Sequence, residues 1–237
     1  MRSLGITLLL LLFSICTLAQ SNSYKSFLNI GFGGTSYKGD LVNQYESWSG
    51  TFHAGILLNK KKRMNGYFHL MIGSVQGNNP DYVYNQNPLA TPNTYFKTSL
   101  FSLGYELRIN IIKKDFFNIY LSPGIAILRY NPKDQYNVSY AQQFNTRAPN
   151  ENYGNISVIL PIKIGANYFT PHGYGIGVDM GFLNPMTDYI DNISQWGNSS
   201  KKDNLLQMNL MIYVPININL KNAAIQQNAN KAEQKKN

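Results

Sequence analysis

The sequence predicts an all-β fold, an eight-stranded antiparallel transmembrane β-barrel. Three observations support this prediction. Apolar residues recur at every second position in eight segments, and the connections between these segments alternate between short and long. The composition combines 14% charged and 13% aromatic residues with a mean hydropathy of −0.26. A soluble domain has about 25% charged residues, and a helical membrane protein is far more apolar.

Residues 1–19 are predicted to be a signal peptide. Arg2 precedes an almost wholly apolar stretch, Leu4 to Ile15, and Thr17-Leu18-Ala19 places small residues where signal peptidase requires them. We expect cleavage after Ala19. A retained anchor and lipidation of Cys16 are the alternatives, but the stretch is too short to cross about 30 Å as a helix. Because Cys16 is the single cysteine, the mature chain is expected to have no disulfide.

The barrel is expected over residues 20–220. Alternation of apolar and polar residues is clearest in the last strand, where Leu206, Met208 and Leu210 occupy one face and Gln207 and Asn209 the other. Similar alternation predicts strands at 101–110, 117–127, 158–167 and 174–182, and weaker alternation predicts strands at 25–36, 49–59 and 67–76. Ten strands remain an alternative if 77–96 or 130–153 contains a further hairpin.

The loop lengths predict how the barrel is oriented. Short turns are expected at 60–66, 112–115 and 169–173, and long loops at 37–48, 77–96, 130–153 and 183–204. Outer-membrane barrels have short periplasmic turns and long outer loops. With an even number of strands, both termini are then expected in the periplasm of a cell with an outer membrane.

Four charged residues fall on the predicted inner face. Glu106, Arg108, Lys163 and Asp179 all occupy polar positions of their strands. An eight-stranded barrel is just wide enough for its side chains to fill the lumen. We hypothesise an ion-pair network that closes the lumen, so that the protein is not a channel. The alternative is that one or two of these charges lie near a rim.

The histidines give little indication of an enzyme. His53 and His69 are predicted to face the lumen on neighbouring strands, and His172 falls in a short turn. Enzymes on small outer-membrane barrels need a histidine among acidic or serine partners at the outer rim, and none of the three is predicted there. We therefore expect no catalytic site, no metal, no cofactor and no small-molecule substrate.

The net charge of +9 is concentrated at the predicted periplasmic side. Lysines and an arginine cluster in the first two short turns, and the tail at 221–237 is basic, rich in Asn and Gln and predicted to be disordered. Two interpretations are open, attraction to lipid head groups or docking of an acidic periplasmic partner. No nucleic acid is expected in that compartment. The candidate docking residues are Lys60, Lys61, Lys62, Arg63, Lys113, Lys114 and Lys221.

Two short motifs carry a resemblance to a known family. The first, in 34–41, contains Tyr37, Gly39, Asp40 and Leu41, and the second, in 184–194, contains Thr187, Asp188, Tyr189 and Asp191. Together they resemble the outer-membrane β-barrel family of Bacteroidota that includes PorG of the type IX secretion system. The resemblance implies a non-enzymatic subunit that anchors periplasmic and outer-membrane partners of a secretion complex.

The same motifs have simple physical interpretations. Gly39 allows a sharp turn, and Asp40 can accept backbone N–H groups within it. Asp188 and Asp191, three residues apart, can fold a short turn, and a bound cation such as Ca²⁺ is the alternative. The second candidate for the function is an OmpX/OmpA-like barrel whose outer loops bind a surface ligand.

Overall fold

The computed structural model describes residues 25–60, 62–151, 154–197 and 202–216. Each strand pairs antiparallel with the next one, and the first also pairs with the last, which closes the sheet into a barrel. The predicted eight-stranded antiparallel barrel is therefore confirmed. The strands are β1 Ser26–Lys38, β2 Trp48–Leu58, β3 Met64–Asn78, β4 Tyr95–Lys113, β5 Phe117–Lys133, β6 Ile156–Phe169, β7 Gly175–Pro185 and β8 Asn204–Ile216.

The ten-strand alternative is wrong. In the described part of 134–155 the chain forms two short 3-10 turns, Tyr140–Gln142 and Phe144–Thr146, instead of a hairpin. A single bridge between Lys133 and Ser139 briefly prolongs β5. Among the described residues of 79–94, no strand is present.

The barrel has an inverted distribution of polarity. Apolar side chains of alternate positions point outward, so that Phe32 is 69% exposed and Leu210 is 60% exposed. Polar side chains at the intervening positions point into the lumen and are buried, including Asn29 and Gln207. An apolar outer surface around a closed set of backbone hydrogen bonds is what a lipid environment requires of a sheet.

The connections separate by length at the two ends of the barrel. The end that we call the short-turn end has the connections 59–63, 114–116 and 170–174, and the long-loop end has 39–47, 79–94, 134–155 and 186–203. This alternation of short and long connections is the one expected from the sequence. The described residues include no helix that is long and apolar enough to cross a membrane.

The hairpin of β4 and β5 is the longest in the barrel. The two strands have 19 and 17 residues and stay paired as far as Lys97 and Lys133, whereas β6 pairs with β5 only up to Arg129. The hairpin therefore extends past β6 at the long-loop end. Near the other end, a register shift after Asn110 lets two consecutive isoleucines both remain exposed.

Some sequence predictions lie outside the described residues. These are the signal peptide at 1–19 and the tail at 221–237, with Lys221 in the latter. Lys61 and the predicted continuation of the last strand over 217–220 are also outside the described residues.

Candidate functional site

The lumen contains a buried ion pair between β4 and β6, with neighbouring side chains from β3 and β5. The Lys163 ammonium on β6 lies 2.7 Å from Oε1 of Glu106 on β4, and Nε2 of His69 on β3 lies 3.1 Å from the same oxygen. Ser122 on β5 donates a 2.6 Å hydrogen bond to the other carboxylate oxygen of Glu106. These side chains are all less than 5% exposed. Lys163 and Ser122 each donate to one oxygen of the Glu106 carboxylate, and these two bonds compensate it for its loss of water.

Arg108 is also buried in the lumen, but its near neighbours are mostly tyrosines. Its guanidinium carbon lies 3.6 Å from the ring centroid of Tyr67 and 4.6 Å from that of Tyr120, and Nη1 donates a 2.7 Å hydrogen bond to the Tyr213 hydroxyl. The contact with Asp179 is longer, 3.8 Å between Nη2 and Oδ2. Aromatic faces stabilise a desolvated guanidinium, so Tyr67 and Tyr120 support Arg108 alongside the Tyr213 hydroxyl and Asp179.

The four charges of the predicted network are thus brought together as two pairs. Asp179 is linked to its surroundings by a 2.7 Å bond from Asn209 Nδ2 and a 3.2 Å bond from the Tyr120 hydroxyl. The tyrosine cage was not predicted from the sequence. The alternation of inward and outward positions could have indicated this cage, because Tyr67, Tyr120 and Tyr213 lie at inward positions of their strands.

At the short-turn end, the position of Lys60 differs from the one that the sequence predicts. Lys60 was predicted to face a partner, but it is 5% exposed, and its ammonium lies 4.1 Å from the Phe169 ring centroid and donates to the Asp115 carbonyl at 3.2 Å. Lys60 therefore helps to close this end of the lumen and is not part of a docking surface. The physical reason is that a cation gains more from an aromatic face and a carbonyl than its chain loses in freedom.

The other basic residues of this end are more accessible. Lys113 donates to the carbonyls of Lys60 and Lys62, at 2.7 and 2.6 Å, which ties the first two short turns together. Lys62, Arg63 and Lys114 are exposed. We call these three residues the basic rim.

The two sequence motifs meet at the long-loop end, although they lie at opposite ends of the chain. The Tyr37 hydroxyl lies 2.6 Å from Oδ2 of Asp191 and 2.6 Å from Oδ1 of Asp203, and the Leu41 amide donates to Asp191 Oδ2 at 3.1 Å. Gly39 turns the chain beneath this contact, where a Cβ would overlap the Tyr37 hydroxyl. The motifs therefore form one structural unit.

The remaining motif residues surround this unit. The Ile190 amide donates to Asp203 Oδ2 at 2.7 Å, and the Thr187 hydroxyl lies 3.0 Å from the Tyr130 hydroxyl. Asp40 is buried, and Asp188 and Tyr189 are half-buried. Asp203 completes the unit, and neither motif includes it. Loop folding accounts for these contacts, and among the described residues no group of three or more His, Cys, Asp or Glu side chains could hold a metal ion.

A hydrophobic cluster joins the long loops above the barrel. Tyr84 is 1% exposed, packs 5.2 Å from the Trp196 ring, and donates to the Thr146 carbonyl at 2.9 Å. Asn93, in the same connection as Tyr84, donates a 2.9 Å hydrogen bond to the Asp191 carbonyl and so links this loop to 186–203. We call this layer the loop cap; its buried members are Tyr37, Leu41, Tyr84, Phe96, Tyr140, Ile190, Ile193 and Leu205.

Burial changes the acidity of the loop cap. Desolvation raises the pKa of Asp191 to about 7. Desolvation and the nearby charge of Asp191 raise the pKa of Asp203 well above its usual range. A phenol has one proton to donate, so when both carboxyls are ionised, one of the two short contacts of Tyr37 has no proton. The unit is therefore most stable when at least one of the two carboxyls is protonated.

The structure places two histidines in the lumen and one at the short-turn end. His53 and His69 face the lumen, as the alternation predicts, and His53 lies 3.2 Å from the Thr51 hydroxyl. His172 lies in a connection of the short-turn end, at the opposite end of β7 from the acidic residues of the loop cap.

The chain matches no protein-family profile and no curated protein. Among solved structures, the barrel is similar to Neisserial surface protein A, with a TM-score of 0.50 and 12% identity over 81% of this chain and 97% of that one. The chain has the fold of this surface protein.

Two further structures are similar at lower scores. Ail of Yersinia pestis, solved in complex with the heparin analogue sucrose octasulfate, has a TM-score of 0.47 and 8% identity over 80% of this chain and 97% of that chain. The outer membrane enzyme PagL has a TM-score of 0.39 and 11% identity over 79% of this chain and 99% of that chain.

Proposed function

We propose that the protein is a non-enzymatic outer-membrane barrel that serves as a structural anchor. The filled lumen carries this proposal. Glu106, Lys163 and Arg108 are buried across the barrel interior, and the loop cap packs over one end. The apolar outer face supports a lipid environment, because that surface would be costly to expose to water.

We further propose that the short-turn end lies in the periplasm and binds an acidic subunit of a secretion complex of the type IX kind. The support is the basic rim on turns that Lys113 holds together, and the resemblance carried by the two motifs that meet in the loop cap. A rigid, positively charged surface favours encounter with an acidic partner.

A gentle-detergent pull-down of the tagged protein from its native cell tests this proposal. We expect co-purifying periplasmic proteins that are lost when Lys62, Arg63 and Lys114 are all replaced by Glu. Replacement of Lys38 by Glu is the matched control, because Lys38 is an exposed lysine at the opposite end. Recovery of the wild-type barrel without partners, in good yield, would contradict the anchor function.

A specific observation favours a second candidate, a surface-binding barrel. Three large side chains of the long loops project into solvent: Leu89 is 99% exposed, Tyr136 78% and Phe144 74%. Binding residues are disproportionately found on loops that a rigid scaffold positions. Replacing all three with Ser would abolish adhesion of whole cells to their surface ligand if this candidate is correct, and would leave the pull-down unchanged.

A further inference from the structure

The outer wall of the β4–β5 hairpin carries three cations at the long-loop end. Lys97 and Lys133 are directly opposite each other in the ladder, and Arg129 lies on the same face of β5, paired with Phe101. Like charges at directly opposed positions destabilise a sheet. The wall therefore gains from an anion that bridges the two lysines.

The row of residues between these cations is suited to an anion. Ser99 and Asn131 pair with each other and face outward, one step from the lysine pair and one step from Arg129. Each step of two residues is about 7 Å, a distance that a lysine or arginine side chain can cover. An anion above Ser99 and Asn131 is thus within reach of all three cations.

The cations are available for this role. Within the described residues, the side chains of Lys97 and Arg129 form no hydrogen bond or ion pair, and both residues are exposed. Lys133 donates a 3.0 Å bond to the Asn137 amide oxygen, a neutral acceptor. The adjacent carboxylate of Asp134 is engaged by the amides of Tyr136 and Val138.

An apolar groove begins immediately below the cations. It has a volume of about 790 Å³, and its lining combines Ser99, Arg129 and Asn131 with apolar side chains. The outward apolar members are Ile72, Phe101, Leu103, Ile127 and Ile156. Polar groups at one end and apolar walls below them match an amphiphile whose charged end lies toward the long loops.

We propose that this groove binds a lipid with an exposed phosphate head group, in the leaflet at the long-loop end. The guanidinium and the two ammonium groups bind the phosphate, Ser99 and Asn131 add hydrogen-bond donors, and the acyl chains lie along the groove. The proposal rests on the membrane location proposed above.

Quenching by brominated lipids tests the lipid site. A Phe101→Trp reporter is placed in phosphatidylcholine nanodiscs with increasing amounts of dibrominated phosphatidic acid or dibrominated phosphatidylcholine, and the parent protein with its own tryptophans gives the baseline. We expect half-maximal quenching at a roughly tenfold lower fraction of phosphatidic acid than of phosphatidylcholine. Combining Lys97→Gln, Arg129→Gln and Lys133→Gln should abolish this preference, and Lys38→Gln should preserve it.

Several results would contradict the lipid site, and a separate measurement of insertion tests the membrane function on which it rests. Equal quenching by the two lipids, or a preference that survives the triple variant, would overturn it, and full competition by inorganic phosphate would show a site for the free anion. Insertion is measured separately, by circular dichroism and by the heat-dependent gel mobility of folded barrels. A protein that fails to insert contradicts the proposed membrane function, whereas one that inserts without lipid preference contradicts the lipid site.

Discussion

At the scale of single residues, the loop cap depends on how one phenol is shared by two acids. The pKa of Asp191 is raised to about 7 by burial, above the value of about 3.9 for an unfolded aspartate. The folded state therefore binds more protons than the unfolded state between these values, and the stability of the cap falls as the pH rises through this window. Below about pH 4 the contribution is fully present.

Replacing Asp203 with Asn should remove most of this pH dependence. An Asn side chain can accept from the Ile190 amide and donate to Tyr37, whose hydroxyl then donates to Asp191. We expect the exchange protection of the Leu41 and Ile190 amides at pH 8 to rise above that of wild type, and its change between pH 5 and pH 8 to become smaller. Protection that falls with pH as steeply in the variant as in wild type would disprove the shared-proton interpretation. Asp134→Asn, in an exposed part of the same end, is the control.

A second residue-scale prediction concerns the buried pair in the lumen. Lys163→Met leaves Glu106 buried without its cation, so we expect the free energy of unfolding in urea to fall by about 3 kcal/mol. Adding Glu106→Gln to Lys163→Met should restore part of the loss, because the uncompensated charge is then removed. A single variant as stable as wild type would show that His69 and Ser122 are sufficient partners for Glu106.

At the scale of elements, the narrow barrel requires close approach between strands. A Cβ at Gly181 of β7 would lie 2.5 Å from the Lys163 Cα of β6 and would overlap the Ile162 carbonyl oxygen, both backbone atoms. Gly50 of β2 is exposed and has no atom within 4 Å of its Cβ position. The two glycines therefore differ in the space around them.

Gly181→Ala should impair folding of the barrel, and Gly50→Ala should not. Heat-dependent gel mobility after refolding into detergent measures the folded fraction. We expect a large loss for the first variant because backbone atoms cannot move aside as a flexible side chain does. Equal folded fractions for the two variants would argue against a steric limit between β6 and β7.

At the scale of the whole molecule, a filled lumen and a packed loop cap oppose conduction. Purified protein in a planar bilayer should show no single-channel steps of porin size, because buried side chains occupy the space that water and ions would need. A known porin incorporated in the same bilayer is the control. Regular steps of porin size from the wild-type barrel would contradict the structural-anchor function.

Much of this architecture follows from the sequence because of the period of two. Alternation identifies which face of each strand is apolar, so it predicts the eight strands, their antiparallel order and the inward positions of Glu106, Arg108, Lys163 and Asp179. It cannot predict partners across the lumen, because these depend on strand register and on side chains from distant strands. The cage of Tyr67, Tyr120 and Tyr213 around Arg108 is one example.

The ends of the barrel show the same division. The sequence by itself determines that charge and loop length differ between the two ends. Only the tertiary structure decides that Lys60 is buried against Phe169 while Lys62 is exposed, and that Tyr37 meets Asp191 and Asp203. The physical reason is that local patterns fix which way a side chain points, whereas barrel closure fixes what it meets.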